Sequence, residues 1–485
     1  MARLLEPSNT HEGFGELRAL LHGDRVDLDA WRVDEMLEEV RARDDRLHSD
    51  VWLPYARSAL SSWDPIVHAQ VPSEQAHSRL LRAMRVAPSA RFDVVASARD
   101  GLLGEDVSAF IESPAYAQVV RFEAIEFDFG EPFLRALAKT PYAGQLRCLA
   151  LYRDSHYWND VDSEVAFLTS DNASRLRELD LSMPLALPAS LHTSCRLNVS
   201  TLHLNGCGLS GGVMESFARM ECLSSVRTLG LGMNGVSLEE LSDLAGCVWV
   251  SDVRHLELWR NPIHDWDLHP LTHGRDSALT SLETLDLSDT QLTSESMHPL
   301  LAAPRLPLVR HLDVSNTMMQ GAFVGRRGDT SPRLRSLNLW SCGLTASDLH
   351  DMSGTESLSM LEELTIGSNP IGPSLADALS RPVLAFKGLR CLNARGCGLT
   401  DASMKKLAKA NFERIEVLKL SDDTLTLDGV RALTRSRWFD GLETLELEGV
   451  NWSEDVVDQA RADPALARVL TIAPSSMMTR GRCDG

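Results

Sequence analysis

The chain has 485 residues, 44% hydrophobic and 24% charged, with 48 Lys plus Arg against 68 Asp plus Glu and a formal net charge of −20 at pH 7. That length admits two or three ordinary domains or one long repeat array, and without a run of about 18 apolar residues no spanning helix is expected. The acidic balance argues against nucleic acid and membrane surfaces, which need a basic footprint, and favours a partner protein with a basic surface.

The opening residues MARLLEPSNTHEGFGE lack the cationic stretch, apolar core and small-residue cleavage site of a secretory signal. The nine cysteines form no CxxC pair and no Cys/His cluster at zinc-ligand spacing. Together these features predict reduced thiols in a cytoplasmic protein. Only six of the 48 basic residues are Lys, a bias that points to a GC-rich, bacterial genome.

In chain order, residues 1–90 come first. VDEMLEEVRARDDRL and SEQAHSRLLRAMRV place apolar residues at helical spacing, so this region is expected to be a helical amino-terminal cap or docking module. Within 91–145, FDVVAS at 92 and VVRFEA at 119 read as degenerate leading repeats. From 146 to 473 the pattern LxxLxL recurs: LRCLAL at 146, LRELDL at 176, VSTLHL at 199, VRTLGL at 226, VRHLEL at 253, LETLDL at 282 and VRHLDV at 309. It continues as LRSLNL at 334, LEELTI at 361, LRCLNA at 389, IEVLKL at 415 and LETLEL at 442, with most starts about 27 residues apart, the mark of a repeat array.

After the hexamers, SLEELSDLA at 237, SDLHDMS at 347, ASMKKLAKA at 402 and TLDGVRALTRS at 426 carry apolar residues at helical spacing after a Ser, Thr or Asp start and read as helices. The unit at 309 differs, because QGAFVGRRGDTSPR replaces the amphipathic helix and predicts a loop carrying Arg-Gly-Asp at 327–329. SEDVVDQARA and VLTIA close the stack, and 474–485 are expected to form a disordered tail.

Three residues beyond each hexamer stands a side chain suited to bonding the backbone of a neighbouring coil, including Cys207, Asn234, Asn261, Cys342, Asn369 and Cys397. With that ladder, LNLWSCGLTASDL at 337–349 and LNARGCGLTDASMKKLA at 392–408 resemble the leucine-rich repeats of the ribonuclease-inhibitor type, over about two thirds of the chain. The resemblance implies an α/β leucine-rich-repeat solenoid: a horseshoe with parallel strands on the concave face, helices on the convex face and a helical cap before the first coil.

In such a fold the residues between the buried leucines face the concave surface. Glu257, Asp286 and Asp313 then occupy consecutive coils with strands about 4.8 Å apart, where like charges repel and a cationic partner relieves the repulsion. Trp259 and Trp340 stand on the next outward position, with Arg260, Asn316 and Arg395 on the same rim or face, so these eight residues are the expected protein-binding set. His255 and His311 share a strand position two coils apart, roughly 10 Å, too far for one metal. No metal, cofactor or catalytic residue is expected, since no phosphate loop, dinucleotide fingerprint, nucleophile elbow or HExxH is present.

The function expected is a non-enzymatic scaffold, adaptor or inhibitor that holds another protein. Alternatives are a substrate-recognition subunit of a ubiquitin-ligase-type complex, in the manner of a secreted effector, because DVWLPYARSALSSWDP at 50–65 resembles the Leu-Pro opening of an F-box. A GTPase-activating protein is a further alternative, from the resemblance to the repeats of the nuclear-transport GTPase's helper, although the acidic tail of that protein is missing here.

Overall fold

A coil with one apolar stripe buries it only by stacking on a second such coil, and the chain does this throughout the residues that can be described. The computed structural model describes residues 66–473 apart from 72–76, 78–79, 82–83, 85–90, 98–103, 126–130, 153–160, 183–193, 275–276, 325–333, 356–357, 382–383 and 422–423. The expected helical cap up to residue 65, its F-box-like stretch, the Arg-Gly-Asp triplet and the tail all lie outside the described residues. The chain divides into two compact units, one comprising Met1–Gly208 with Arg219–Val226 and the other Leu209–Ala218 with Arg227–Gly485.

Among the described residues, unit 1 holds six strands paired in parallel and in chain order: β1 (Ile66–Val71), β2 (Arg91–Ser97), β3 (Val119–Ile125), β4 (Cys148–Tyr152), β5 (Glu178–Ser182) and β6 (Thr201–His203). Helices α1 (Gly104–Ile111), α2 (Glu131–Lys139) and α3 (Val161–Leu168) connect them. The core of this unit is aromatic. Phe110 meets Tyr116 edge-on at 5.4 Å between ring centroids, Tyr116 meets Phe122 at 5.8 Å, and Phe122 meets Phe133 at 6.4 Å. Aromatic rings supply the apolar area that the degenerate hexamers lack in leucine. β1 falls in the stretch expected to be helical and pairs with β2 in register from Ile66↔Arg91 onward, 25 residues before the first strand that the hexamer pattern indicates. IVHAQV carries no leucine, which is why the motif does not reveal it.

Unit 2 holds β7 (Thr228–Gly230), β8 (His255–Glu257), β9 (Thr284–Asp286), β10 (His311–Asp313) and β11 (Ser336–Asn338), followed by β12 (Glu363–Thr365), β13 (Cys391–Arg395), β14 (Val417–Ser421), β15 (Thr444–Glu448) and β16 (Leu470–Ala473). All pair in parallel with their chain neighbours within the unit. The central leucines of the hexamers align across the strands, and Leu229, Leu256, Leu285, Leu312, Leu337, Leu364, Leu392, Leu418 and Leu445 are each at most 4% exposed. At about 2 kcal/mol for each buried leucine, this stripe is the main force holding the coils together.

The helices of unit 2 are α4 (Gly212–Ala218), α5 (Leu238–Ala245), α6 (His269–Thr272), α7 (Ser294–Leu301), α8 (Ala346–Ser353), α9 (Gly372–Leu379), α10 (Leu384–Lys387), α11 (Asp401–Leu407), α12 (Leu427–Leu433) and α13 (Glu454–Ala462). Their starts follow the expected chemistry, with Ser237, Thr293, Thr345, Thr400 and Thr426 at the N-cap positions. Between β10 and β11 the described residues 321–324 form turns where the neighbouring coils have a helix. No helix among the described residues is long and apolar enough to cross a membrane.

Seven of the described cysteines, among them Cys207, Cys342 and Cys397, are free thiols.

Candidate functional site

The hexamer pattern leaves alternate strand residues on the face of the sheet that its leucines turn away from, and in unit 2 this face carries the expected binding set. Glu257, Asp286 and Asp313 stand directly opposite one another, Glu257↔Asp286 between β8 and β9 and Asp286↔Asp313 between β9 and β10. Their surroundings differ. Glu257 and Asp286 are partly exposed, and Asp286 accepts the backbone N–H of Ser288 at 2.9 Å. Asp313 is buried and accepts from the Asn338 side-chain amide at 2.7 Å and the Ser315 N–H at 2.9 Å. Those donors hold Asp313 within the sheet, while Glu257 and Asp286 keep partial exposure.

The tryptophans also part company. The ring of Trp259 lies over Gly232, where a β-carbon would come within 2.3 Å of it, yet the side chain keeps partial exposure. The Arg260 guanidinium carbon sits 5.9 Å from that ring's centroid and its Nε is 3.4 Å from Asp289, so an aromatic, a cation and a carboxylate are joined at the edge of the face. Trp340 packs over Gly367 in the same manner but is only 7% exposed, which corrects its assignment as an exposed anchor.

Arg395 is likewise corrected. It is buried, donates to Glu446 and lies 3.1 Å from Glu448, so its charge is consumed within the sheet. Asn316 is partly exposed; its backbone N–H donates to the Trp340 carbonyl at 2.8 Å. His255 bonds the Thr284 hydroxyl across one strand at 3.0 Å through Nδ1.

The ladder residues are buried and bond across coils. Asn261 Oδ1 accepts from the N–H groups of Asn234 at 2.9 Å and Val236 at 3.0 Å, while its Nδ2 donates to the carbonyls of Leu231 and Leu258. Asn369 repeats this with the N–H groups of Cys342 and Leu344 and the carbonyls of Leu339 and Ile366. Asn234 accepts from the Leu209 N–H at 3.2 Å. The thiols of Cys207, Cys342 and Cys397 donate to the carbonyls of Leu181, Val314 and Ile366. Burial pushes the Cys342 thiol up to about 11, so it remains a donor instead of a thiolate.

Three features escape the hexamer reading. The residue before each ladder position adopts the left-handed conformation: Met233, Arg260, Asp289, Asn316, Ser341 and Ser368, with Gly206 and Gly396 in the same place. Arg260 and Asn316 therefore sit where the turn demands an unusual backbone, and glycines such as Gly206, Gly396 and Gly449 are the sequence trace of that demand. Second, helix-start carboxylates reach the neighbouring coil. Glu240 accepts from the Gly211 N–H, Asp265 from Thr293, Asp348 from the Gly321 N–H and Asp401 from Thr426.

Third, unit 1 has its own polar cluster on β2 to β5. Arg121 lies between Asp93 and Glu178, at 4.0 and 3.3 Å, and the Tyr152 hydroxyl donates to Asp180 at 2.9 Å. Burial, with help from Asp93 and Asp180, raises the Glu123 carboxyl above its ordinary range against the opposing pull of Arg121. Asp93, Arg121 and Glu123 fall in the degenerate repeats, whereas Glu178 and Asp180 belong to the hexamer at 176. Among the described residues, no group of three or more His, Cys, Asp and Glu side chains is arranged to hold a metal ion.

No protein-family model matches the chain. It is 28% identical to the ribonuclease inhibitor of Mus musculus over 319 residues, 64% of this chain and 68% of that protein. To the ribonuclease inhibitor of Sus scrofa it is 31% identical over 193 residues, 38% of this chain and 42% of that protein, so this second match spans less than half of its relative. Among solved structures, an internalin (inlF) of Listeria monocytogenes aligns over 82% of this chain and 89% of its own at 15% identity and a TM-score of 0.35. A chain of the yeast Rad7 and Elc1 complex aligns over 93% and 98% at 14% identity and a TM-score of 0.36. The stacked strands, the bonded ladder and the sequence matches together support an α/β leucine-rich-repeat fold.

Proposed function

We propose that this chain is a non-enzymatic binding scaffold, acting as an adaptor or inhibitor, that holds a basic partner protein on the open strand face of unit 2. The observation that carries the reading is the in-register pair Glu257 and Asp286, two partly exposed carboxylates on adjacent strands beside Trp259 and Arg260. Carboxylates about 4.8 Å apart repel, and a lysine or arginine placed between them relieves that repulsion. The half-covered Trp259 ring adds apolar area next to the charge, the composition of binding hot spots. The mouse and pig relatives are named as inhibitors of a ribonuclease, itself a protein, which supports protein capture as the class of activity.

The test is a pull-down from native lysate with the full chain as bait beside Glu257→Lys with Asp286→Lys, read by mass spectrometry. A basic protein retained by the wild type and lost by the double variant is the expected result. Equal retention of the same proteins by both baits overturns the assignment to this face. Trp259→Ala adds a second readout, with an expected weakening of about 2 kcal/mol or more for a hot-spot aromatic.

A further inference from the structure

The helical layer of unit 2 presents a second chemistry at His269 and His273, unrelated to the strand face. α6 begins at His269, and the His273 N–H closes its turn on the His269 carbonyl at 2.9 Å, which sets the two imidazoles one helical turn apart on the same side. The Gly274 N–H shares that carbonyl at 2.9 Å. A β-carbon at Gly274 would stand 2.5 Å from the Pro270 carbonyl oxygen, so glycine alone lets the chain leave the turn this tightly. Both histidines are exposed, and their rings stack with centroids 5.9 Å apart and 23° between planes.

Thr272 decides which ring nitrogen of His273 is free. This buried threonine has one hydroxyl proton, and it donates that proton to the Leu268 carbonyl at 2.9 Å. Toward His273 Nδ1, 2.9 Å away, the hydroxyl oxygen therefore acts as acceptor, so Nδ1 carries the imidazole proton. The lone pair is left on Nε2, on an exposed side chain. A metal-binding histidine is commonly prepared in this way, with one nitrogen protonated and held by an oxygen and the other presented to the ion.

We propose that His269 and His273 form a two-imidazole site for a divalent transition metal of the Zn(II) class, bound through both Nε2 atoms, with the remaining coordination positions filled by water or by a donor from outside the chain. Neutral imidazole suits Zn, Cu and Ni, and a histidine pair at i and i+4 of a helix presents both rings to one ion. Metal–nitrogen distances of about 2.0–2.1 Å require the stacked rings to turn toward each other. Both side chains are exposed, so that rotation breaks no core packing. Thr272 is a positioning residue that holds the tautomer.

The experiment is calorimetric titration of the full chain with zinc sulfate, comparing wild type with His269→Asn/His273→Asn, both checked by circular dichroism. Wild type is expected to take up one equivalent more than the double variant. Equal uptake, including no uptake by either, overturns the site. Thr272→Val, close in volume, is expected to weaken the site about ten-fold and to shift the 15N resonances of the His273 imidazole, which a purely structural threonine would leave in place. Unchanged affinity and unchanged resonances would overturn the positioning role.

Discussion

Trp340 covers the backbone of Gly367 so closely that a β-carbon at Gly367 would lie 2.1 Å from the ring, with the Arg395 carbonyl oxygen at 2.6 Å on another side. Gly367→Ala is therefore expected to destabilise unit 2 by about 2 to 3 kcal/mol through overpacking. Urea denaturation measures the loss. In a double-mutant cycle, Trp340→Ala should reduce the added cost of Gly367→Ala without abolishing it, because the carbonyl remains. A cost independent of Trp340 would show that the ring is not the obstacle.

Asn261 satisfies four buried backbone groups, two N–H and two C=O. Asn261→Ala leaves them without partners and should cost about 3 to 5 kcal/mol, given roughly 1 to 3 kcal/mol for each unsatisfied buried group and partial relaxation. A loss below about 1 kcal/mol, measured by the denaturation midpoint, would contradict that bond count.

Arg395 is buried between Glu446 and Glu448. Arg395→Ala should lower stability by about 3 kcal/mol, because it removes the buried guanidinium that Glu446 and Glu448 hold. Partner capture, measured on the remaining folded protein, should stay unchanged. The opposite pattern would return Arg395 to the binding surface.

Glu240 is opposed by burial, but the Ser237 hydroxyl and the N–H groups of Gly211 and Ser237 outweigh it and hold the carboxyl below its ordinary value. A depressed folded value means that the stabilising contribution is complete above the unfolded carboxylate range and disappears as pH falls through the folded value. Glu240→Gln should thus be less stable than wild type at neutral pH, with the gap closing below about pH 4. A gap that widened on acidification would contradict this sign.

The hexamer positions were legible because a buried leucine stripe is a local, repeated signal. β2 to β16 all lie where the pattern or its degenerate copies place strands, and Ser237, Thr345, Thr400 and Thr426 mark helix starts by their own chemistry. The ladder residues are similarly visible, since only a few side chains can bond a backbone from that turn. Exposure was not legible. Trp259 and Trp340 occupy equivalent positions, yet one is half covered and the other nearly closed off. Asp313 and Arg395 match the outward pattern but find internal partners in Asn338 and in Glu446 and Glu448.

His269 and His273 are only a spaced pair in the sequence until the Thr272 hydroxyl assigns the tautomer of His273. What the sequence determined alone was the coil, because strand, turn and helix in each repeat depend on residues within a few positions of one another. Which side chains remain available to a partner depends on the coil stacked about 27 residues away, and that neighbour is adjacent only once the chain has folded.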